Sequence, residues 1–352
     1  MDMSRPTLEA LRADAAPSVT LRAPGRLHLG FLDPAASLGR RFGSLGLVIE
    51  GFETVVALGA ASANQVAAVG VAEQAEIDRA RAHLQRLQQH SGRHEPLHLT
   101  LLRVLPAHAG FGSGTQLALA IGRAFAQWHG LAVTTPALAQ WLGRGARSGI
   151  GIAGFDHGGL LVDGGPGGPG GAGAQLTSAP LLARLPLPEA WRVLVVQDNA
   201  QRGLSGADER EAIASLAPLP QSLAADICHQ VLMRVLPGAA GAEFAPFAAG
   251  INHIQRLLGA HFAPAQGGSA YTSAAVGRLL EAIGAAGAIG QRPAIGQSSW
   301  GPTGFAILPS QAQADAVLEA ARAANAVAAG LTLNIVAGRN GGATLIDSRH
   351  AR

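Results

Sequence analysis

The sequence predicts an α+β fold in two domains, and three observations carry that expectation. Segments with the 3.6-residue apolar repeat of helices and segments with the two-residue repeat of strands both occur. They do not alternate in the strand–helix–strand beat of a doubly wound sheet. The chain has 352 residues, 48% apolar and 14% charged, which suffices for two cores of ordinary domain size. A low-complexity run, GGPGGPGGAGA at 164–174, has almost no side chains to pack and reads as a surface loop. The boundary is placed just after it, giving an N-terminal domain over 1–188 and a C-terminal domain over 189–352.

In chain order, SVTLRAPGRLHLGFL (18–32) reads as strand, Pro-Gly turn and strand, and SLGLVIEGFETVVALGA (44–60) as two strands joined through Gly51. AEIDRARAHLQRLQQH (75–90) is a helix. Its Ile77, Ala80, Leu84 and Leu87 share one face, with Arg79 and Arg86 outside it. LHLTLLRVLP (97–106) is a strand with Leu97, Leu99, Leu101 and Leu105 on one side. A helix follows from about Gly114 to Trp128, buried along Leu117, Ile121, Phe125 and Trp128, and another spans 136–147. GGLLVDGG (158–165) is a short strand. The second half opens with the strand WRVLVVQD (191–198). Helices are expected over 206–236, 241–260 and 272–286, with a Gly/Ser loop at 266–270. The strand TGFAILP, a helix over 311–329 and the strands LTLNIV and ATLID close the chain.

All 26 basic residues are arginine. Without lysine no Schiff base can form, which excludes lysine-anchored pyridoxal phosphate and aldolase-type chemistry. Every fixed cation is instead a planar guanidinium suited to phosphate and carboxylate. The net charge is +3, and no basic run with interleaved aromatics points to nucleic acid. No run of 18 apolar residues suggests a membrane span. The N-terminus, MDMSRPTLEALRADAAPS, carries acids and lacks the apolar stretch of a signal peptide. Cys228 is the single cysteine, so no internal disulfide is expected, and a cytoplasmic location fits best.

PAHAGFGSGTQLALAIG (106–122) places Gly110, Gly112 and Gly114 where a strand gives way to a helix. The first N–H groups of a helix lack partners and carry the positive end of its dipole. Glycines let such groups approach an anion without a Cβ in the way, and Ser113 and Thr115 add hydroxyl donors. A tight turn packing strand on helix is the plainer reading of the same glycines. No lysine follows, so this is not a Walker loop, and the spacing is not G-x-G-x-x-G.

Taken whole, PAHAGFGSGT resembles the P-x-x-x-G-L-G-S-S loop of the GHMP small-molecule kinase superfamily. RAPGRLHLG (22–30) is similar to that superfamily's N-terminal APGKxxLxG motif, and GQSSWGPTGFAIL (296–308) to its C-terminal glycine-rich motif. The resemblance implies a GHMP-kinase-like fold. Its N-terminal domain would hold a left-handed βαβ crossover, its C-terminal domain would be ferredoxin-like, and the ligand would lie between them. One departure stands out. In SGIGIAGFDHGG (148–159) the position of the kinases' catalytic aspartate is Gly151, and a glycine takes no proton. Asp156, five residues on, reads as a solvated loop carboxylate.

One branch fits these departures. GRLHLGFLDPAASLGRRFGSLGLVIE, GFGSGTQLALAIG, RSGIGIAGFDHGGLLVDGG and GQSSWGPTGFA resemble the β-ribofuranosylaminobenzene 5′-phosphate synthases. That resemblance implies a reaction of phosphoribosyl pyrophosphate with 4-aminobenzoate or 4-hydroxybenzoate. It yields a C-riboside, CO2 and pyrophosphate, in methanopterin-type one-carbon carrier biosynthesis. The para substituent makes the substrate its own electron sink, so no organic cofactor is implied. Mg2+ on the pyrophosphate is compatible with the chemistry, but no D-x-D or paired-acid motif marks a site. A homodimer is a family-level expectation. An ATP-dependent small-molecule kinase and a non-catalytic phosphate-ligand-binding protein on the same fold remain as alternatives.

For the leaving pyrophosphate, the resemblance points to the N–H groups of 110–115, Ser113, Thr115, Arg26 and Arg147. Asp33 is the candidate for steadying positive charge at the sugar, against a turn or cap role. His28 and His108 are candidates for substrate contact or proton shuttling, against structural roles. Trp300 is the candidate wall for the aromatic ring, against core packing. GLSGADE (203–209) and AQGGSAY (265–271) look like family segments and assign Ser205, Glu209 and Gln266 to the cleft.

Overall fold

β1 (Ser18–Asp33) and β2 (Phe42–Ala60) form a long antiparallel pair at the centre of the first sheet. Neither Pro24-Gly25 nor Gly51 separates two strands, contrary to expectation. Both lie at an irregularity where Pro24 pairs with Glu53 and Arg26 already pairs with Val48. Pro24 has no N–H to give the ladder and Gly51 takes a φ of +79°, so the ribbon bends here and continues. The bend lets one strand serve two neighbours. Beyond β3 (Gln65–Ala68), β4 (Leu97–Arg103) pairs with Val55–Ala60, and β5 (Leu160–Asp163) with Ser44–Leu47. β3 carries no sequence signal; it runs parallel to β4 and is joined to it through α1 (Gln74–Ser91). β6 (Leu181–Leu185) extends the sheet from β5. The computed structural model describes residues 17–70, 73–166, 179–203, 211–212, 214–285 and 290–349. Most of the 164–174 run, together with Ser205 and Glu209, lies outside them.

α2 (Ser113–Trp128) lays Leu117, Ile121 and Phe125, all fully buried, on β1 and β2 beside α1. α3 (Thr135–Trp141) stops short of the expected 147, because Gly143 and Gly145 take φ of +66° and +90°. α4 (Ile150–His157) replaces the loop expected around Asp156. Buried Asp163 holds its start, its Oδ2 accepting from Gly149 N at 2.8 Å and Ile150 N at 3.1 Å. Asp156 is exposed on α4 and accepts from Thr135 Oγ1 at 2.6 Å.

The second sheet contains β7 (Arg192–Asp198), β8 (Ala294–Gln297), β9 (Thr303–Leu308) and β10 (Leu331–Ala337). It is antiparallel throughout, in the order β10-β7-β9-β8. Between β7 and β8 run α5 (Gln221–Gln230), a π turn (Val231–Val235), α6 (Leu236–Ala240), α7 (Phe244–Phe262) and α8 (Ala274–Ala285). α9 (Gln311–Ala323) joins β9 to β10. Helices thus separate strands one and two and strands three and four, the ferredoxin-like pattern. The helix expected over 206–236 falls partly outside the described residues, and within them the chain turns helical for good only at Gln221, after Pro218 and Pro220. α9 ends at Ala323 rather than 329, and Asn325 takes a φ of +53°.

β11 (Thr344–Asp347) then returns to pair with β1, so the first sheet has seven strands and 344–347 leave the expected C-terminal unit. The two sheets share a core. Leu27, Leu29, Leu45 and Leu47 pack in one cluster with Val193, Val195, Phe247, Ile251 and Phe305. No described helix is long and apolar enough to cross a membrane.

Candidate active site

Three separate segments meet at one serine. Ser298 Oγ donates to the Gly110 carbonyl at 2.8 Å and accepts from His28 N at 2.9 Å. Arg26 Nη1 donates to the same carbonyl at 2.6 Å, and Arg26 N to the Phe111 carbonyl at 3.1 Å. Ser299 N returns a bond to the His28 carbonyl at 3.2 Å. A Cβ on Gly110, whose φ is +93°, would stand 2.6 Å from the Ser298 carbonyl oxygen, so only glycine permits this joint. Ser298→Ala strips a buried N–H of its acceptor. It is expected to cost about 1–3 kcal/mol, read as a lower urea midpoint at unchanged slope. An unchanged midpoint would show that the hydroxyl does not hold the joint.

The joint borders a cleft of about 1020 Å³. Arg26, Arg79, Arg144 and Arg147 cluster there around the start of α2, with Gly112, Ser113, Gly114 and Thr115. Phe31, Phe42, Phe262 and Trp300 form an aromatic wall, where Phe31 lies 5.3 Å from Phe42 and Trp300 lies 4.8 Å from Phe262 between ring centres. Arg41 is the fifth arginine of the lining. Among the described residues, no aspartate or glutamate lines the cleft. Guanidinium is the cation that the described lining offers.

The glycines do more than bare the backbone. A Cβ on Gly112, whose φ is +73°, would stand 3.0 Å from the Arg26 guanidinium carbon, and one on Gly114 would stand 2.9 Å from Arg144 Nη2. The space left by the missing side chains thus admits two guanidinium groups against the helix start. Arg144 Nη2 also donates to Thr115 Oγ1 at 3.3 Å. Burial, then the like charges of Arg79 and Arg147, lower the pKa of Arg144. Arg79 has a buried partner in Glu76 at 3.2 Å, whereas no described carboxylate pairs with Arg144.

Gly151 lines the cleft, and a Cβ there would touch Thr115 Cγ2 at 3.2 Å. The position therefore faces the site, and no carboxylate stands in it. His28 is 3% exposed, and its Nε2 has no protein partner. Burial, then Arg26 and Arg147, hold its pKa well below the usual imidazole value, so the ring is neutral at pH 7. His108, with a φ of +57°, Arg147 and Trp300 line the same cleft.

Two expected residues are not brought there. Asp33 is absent from the lining. Its Oδ1 accepts from Ala35 N at 3.1 Å, and its Oδ2 accepts from Ser37 N and Oγ, both at 2.7 Å. These bonds make Asp33 a turn residue, the plainer of its two expected roles. Gln266 lines a side cavity of about 40 Å³ that shares His28, Phe31, Phe262, Ser299 and Trp300 with the cleft, and its Oε1 accepts there from Thr272 Oγ1 and Gln297 Nε2, each at 2.9 Å. Sequence reading missed Arg41, Arg79 and Arg144 and the phenylalanines of the wall. The glycines flanking Arg144 in GRGARSG were the available signal, since they mark where α3 must stop.

The family model for the GHMP kinases N terminal domain matches residues 77–159. The beta-ribofuranosylphenol 5'-phosphate synthase of Archaeoglobus fulgidus is 34% identical over 298 residues, covering 83% of this chain and 88% of that protein. The protein of the same name from Methanothermobacter thermautotrophicus is 31% identical over 297 residues, covering 82% and 88%. Among solved structures, homoserine kinase from Cytophaga hutchinsonii superposes with a TM-score of 0.66 at 16% identity, covering 95% of this chain and 99% of that one. That likeness is one of fold. The sequence relatives go further: the chain belongs to the beta-ribofuranosylphenol 5'-phosphate synthase family.

Proposed function

We propose that this chain joins the ribose 5-phosphate unit of phosphoribosyl pyrophosphate to the carboxylate-bearing carbon of a para-substituted benzoate, releasing CO2 and pyrophosphate, in methanopterin-type carrier biosynthesis. One observation carries the reading. The cleft, which no described aspartate or glutamate lines, sets an arginine cluster at a helix start beside an aromatic wall, and this matches a polyanionic donor and an aryl acceptor. The relatives' names carry a phenol, which favours 4-hydroxybenzoate over 4-aminobenzoate as acceptor.

In this reading Arg26, Arg144, Arg147 and the N–H groups of 112–114 stabilise the leaving pyrophosphate as the sugar carbon becomes cationic. The aromatic wall excludes water from that carbon and holds the ring against it. The ring carbon bearing the carboxylate supplies the electron pair for the new bond, while the para oxygen or nitrogen donates into the ring. Loss of CO2 returns the pair and restores aromaticity. Gly151 argues against phosphoryl transfer, because an alcohol substrate would meet no base at that position.

Carboxyl-labelled 4-hydroxybenzoate and phosphoribosyl pyrophosphate are expected to give labelled CO2 and pyrophosphate in equal amounts, with 4-aminobenzoate tested alongside. No release from either benzoate would reject the reading, and ATP turnover with small alcohols would replace it with the kinase.

A further inference from the structure

Arg41 and Phe42 stand where the segment after β1 enters β2. Phe42 is a bulky residue with a φ of +71°, a backbone state that L side chains rarely adopt. Such strain persists only where the surroundings enforce it, and it gathers at functional sites. Here Phe42 is buried against Phe31, while the Arg41 guanidinium lies over its ring at 5.9 Å. Both residues line the cleft, and Arg41 is exposed to it. Among the described residues no carboxylate forms an ion pair with Arg41. The turn that Asp33 organises starts this segment. At its far end Arg40 Nη1 donates to the Gly165 carbonyl at 2.9 Å, so the segment is tied at both ends.

An aryl carboxylate needs an apolar face for the ring and a cation at its edge. The site described above spends its other arginines at the start of α2, where the donor's phosphates belong. Resting on the proposed reaction, we infer that Arg41 and Phe42 form the acceptor clamp: the Phe31–Phe42 wall takes the ring, and the Arg41 guanidinium binds the carboxylate. The clamp fixes which ring carbon faces the sugar. It does not stall the later step. Once the ring carbon has bonded to the sugar, the C–CO2 bond breaks, its electron pair restores aromaticity, and CO2 leaves Arg41 as a neutral molecule.

The test is competitive binding with a carboxylate and its neutral isostere. Wild-type protein is expected to hold 4-hydroxybenzoate roughly 10- to 100-fold more tightly than 4-hydroxybenzamide, the worth of a charge-assisted contact. In Arg41→Met that preference is expected to vanish and KM for the benzoate to rise by a similar factor. The Kd of phosphoribosyl pyrophosphate should stay within about threefold of wild type. Arg41→Lys, which keeps the charge and loses the fork, should restore part of the preference. A preference that survives Arg41→Met overturns the clamp, as does a selective loss of donor affinity, which would place a donor phosphate at Arg41. Wild-type turnover separates the two claims: CO2 release with an undiminished preference in Arg41→Met defeats the clamp alone, and no CO2 release defeats the reaction on which it rests.

Discussion

Gly112→Asp is expected to abolish donor binding while leaving the protein folded. Gly112 caps α2 at a φ of +73°, a conformation that aspartate tolerates better than most residues. The backbone cost is therefore of order 1 kcal/mol, which a two-domain protein survives. The electrostatic consequence is larger. The new Cβ would start 3.0 Å from the Arg26 guanidinium, so the carboxylate would stand among the charges meant for the donor. A like charge within a binding site costs several kcal/mol, which corresponds to roughly a 100-fold or greater loss of affinity for phosphoribosyl pyrophosphate. Calorimetric titration measures it. Gly112→Ala separates the causes: it meets the same backbone strain without the charge and should lose far less affinity. Donor binding undiminished in Gly112→Asp would move the phosphate site away from α2.

How much of this was legible in the sequence depends on how local each signal is. The glycine loop, the RAPGRLHLG strand and the GQSSWGPTG segment could be read because each encodes its own backbone geometry. Their meeting at Ser298 is a tertiary contact that none of them encodes. Pro24-Gly25 misled because a Pro-Gly pair is a strong turn signal, yet the partner strand continues through it and a bulge absorbs the defect. Asp33 is the opposite case, because the turn role was the plainer of its two readings. An aspartate before proline at a strand end also signals a turn, and the turn took both its oxygens. β3 and β11 are short strands whose pairing is decided by distant neighbours, so no local period announces them. Arg79 and Arg144 became cleft residues only through the packing of α1 and the early end of α3. As sequence, they were two arginines among 26.

Arg144→Met is expected to stabilise the free protein and to cripple the enzyme. Arg144 is largely buried, its Nε has no hydrogen-bond partner, and its charged neighbours in the cleft are Arg79 and Arg147. Removing a desolvated cation from like charges relieves repulsion, and methionine keeps much of the side chain's packing volume. The melting temperature of the ligand-free variant should therefore rise by a few degrees, as happens when a site is relieved of strain kept for function. Donor affinity should fall by roughly 10- to 100-fold, since a charge-assisted phosphate contact goes with the guanidinium. Pyrophosphate should raise the melting temperature of wild-type protein, because ligand binding to the folded state adds to its stability. In the variant that rise should shrink. Arg144→Lys should behave differently: the charge remains, so the melting temperature stays low, and affinity returns only in part because an ammonium lacks the planar fork. These opposite movements of stability and affinity are what a poised anion site requires. In the proposed reading the cations gather before the anion arrives, and its binding relieves the repulsion on Arg144. An Arg144→Met protein that melts earlier and still binds the donor as wild type does would make Arg144 a prop for Thr115 and α2 rather than a ligand of the pyrophosphate.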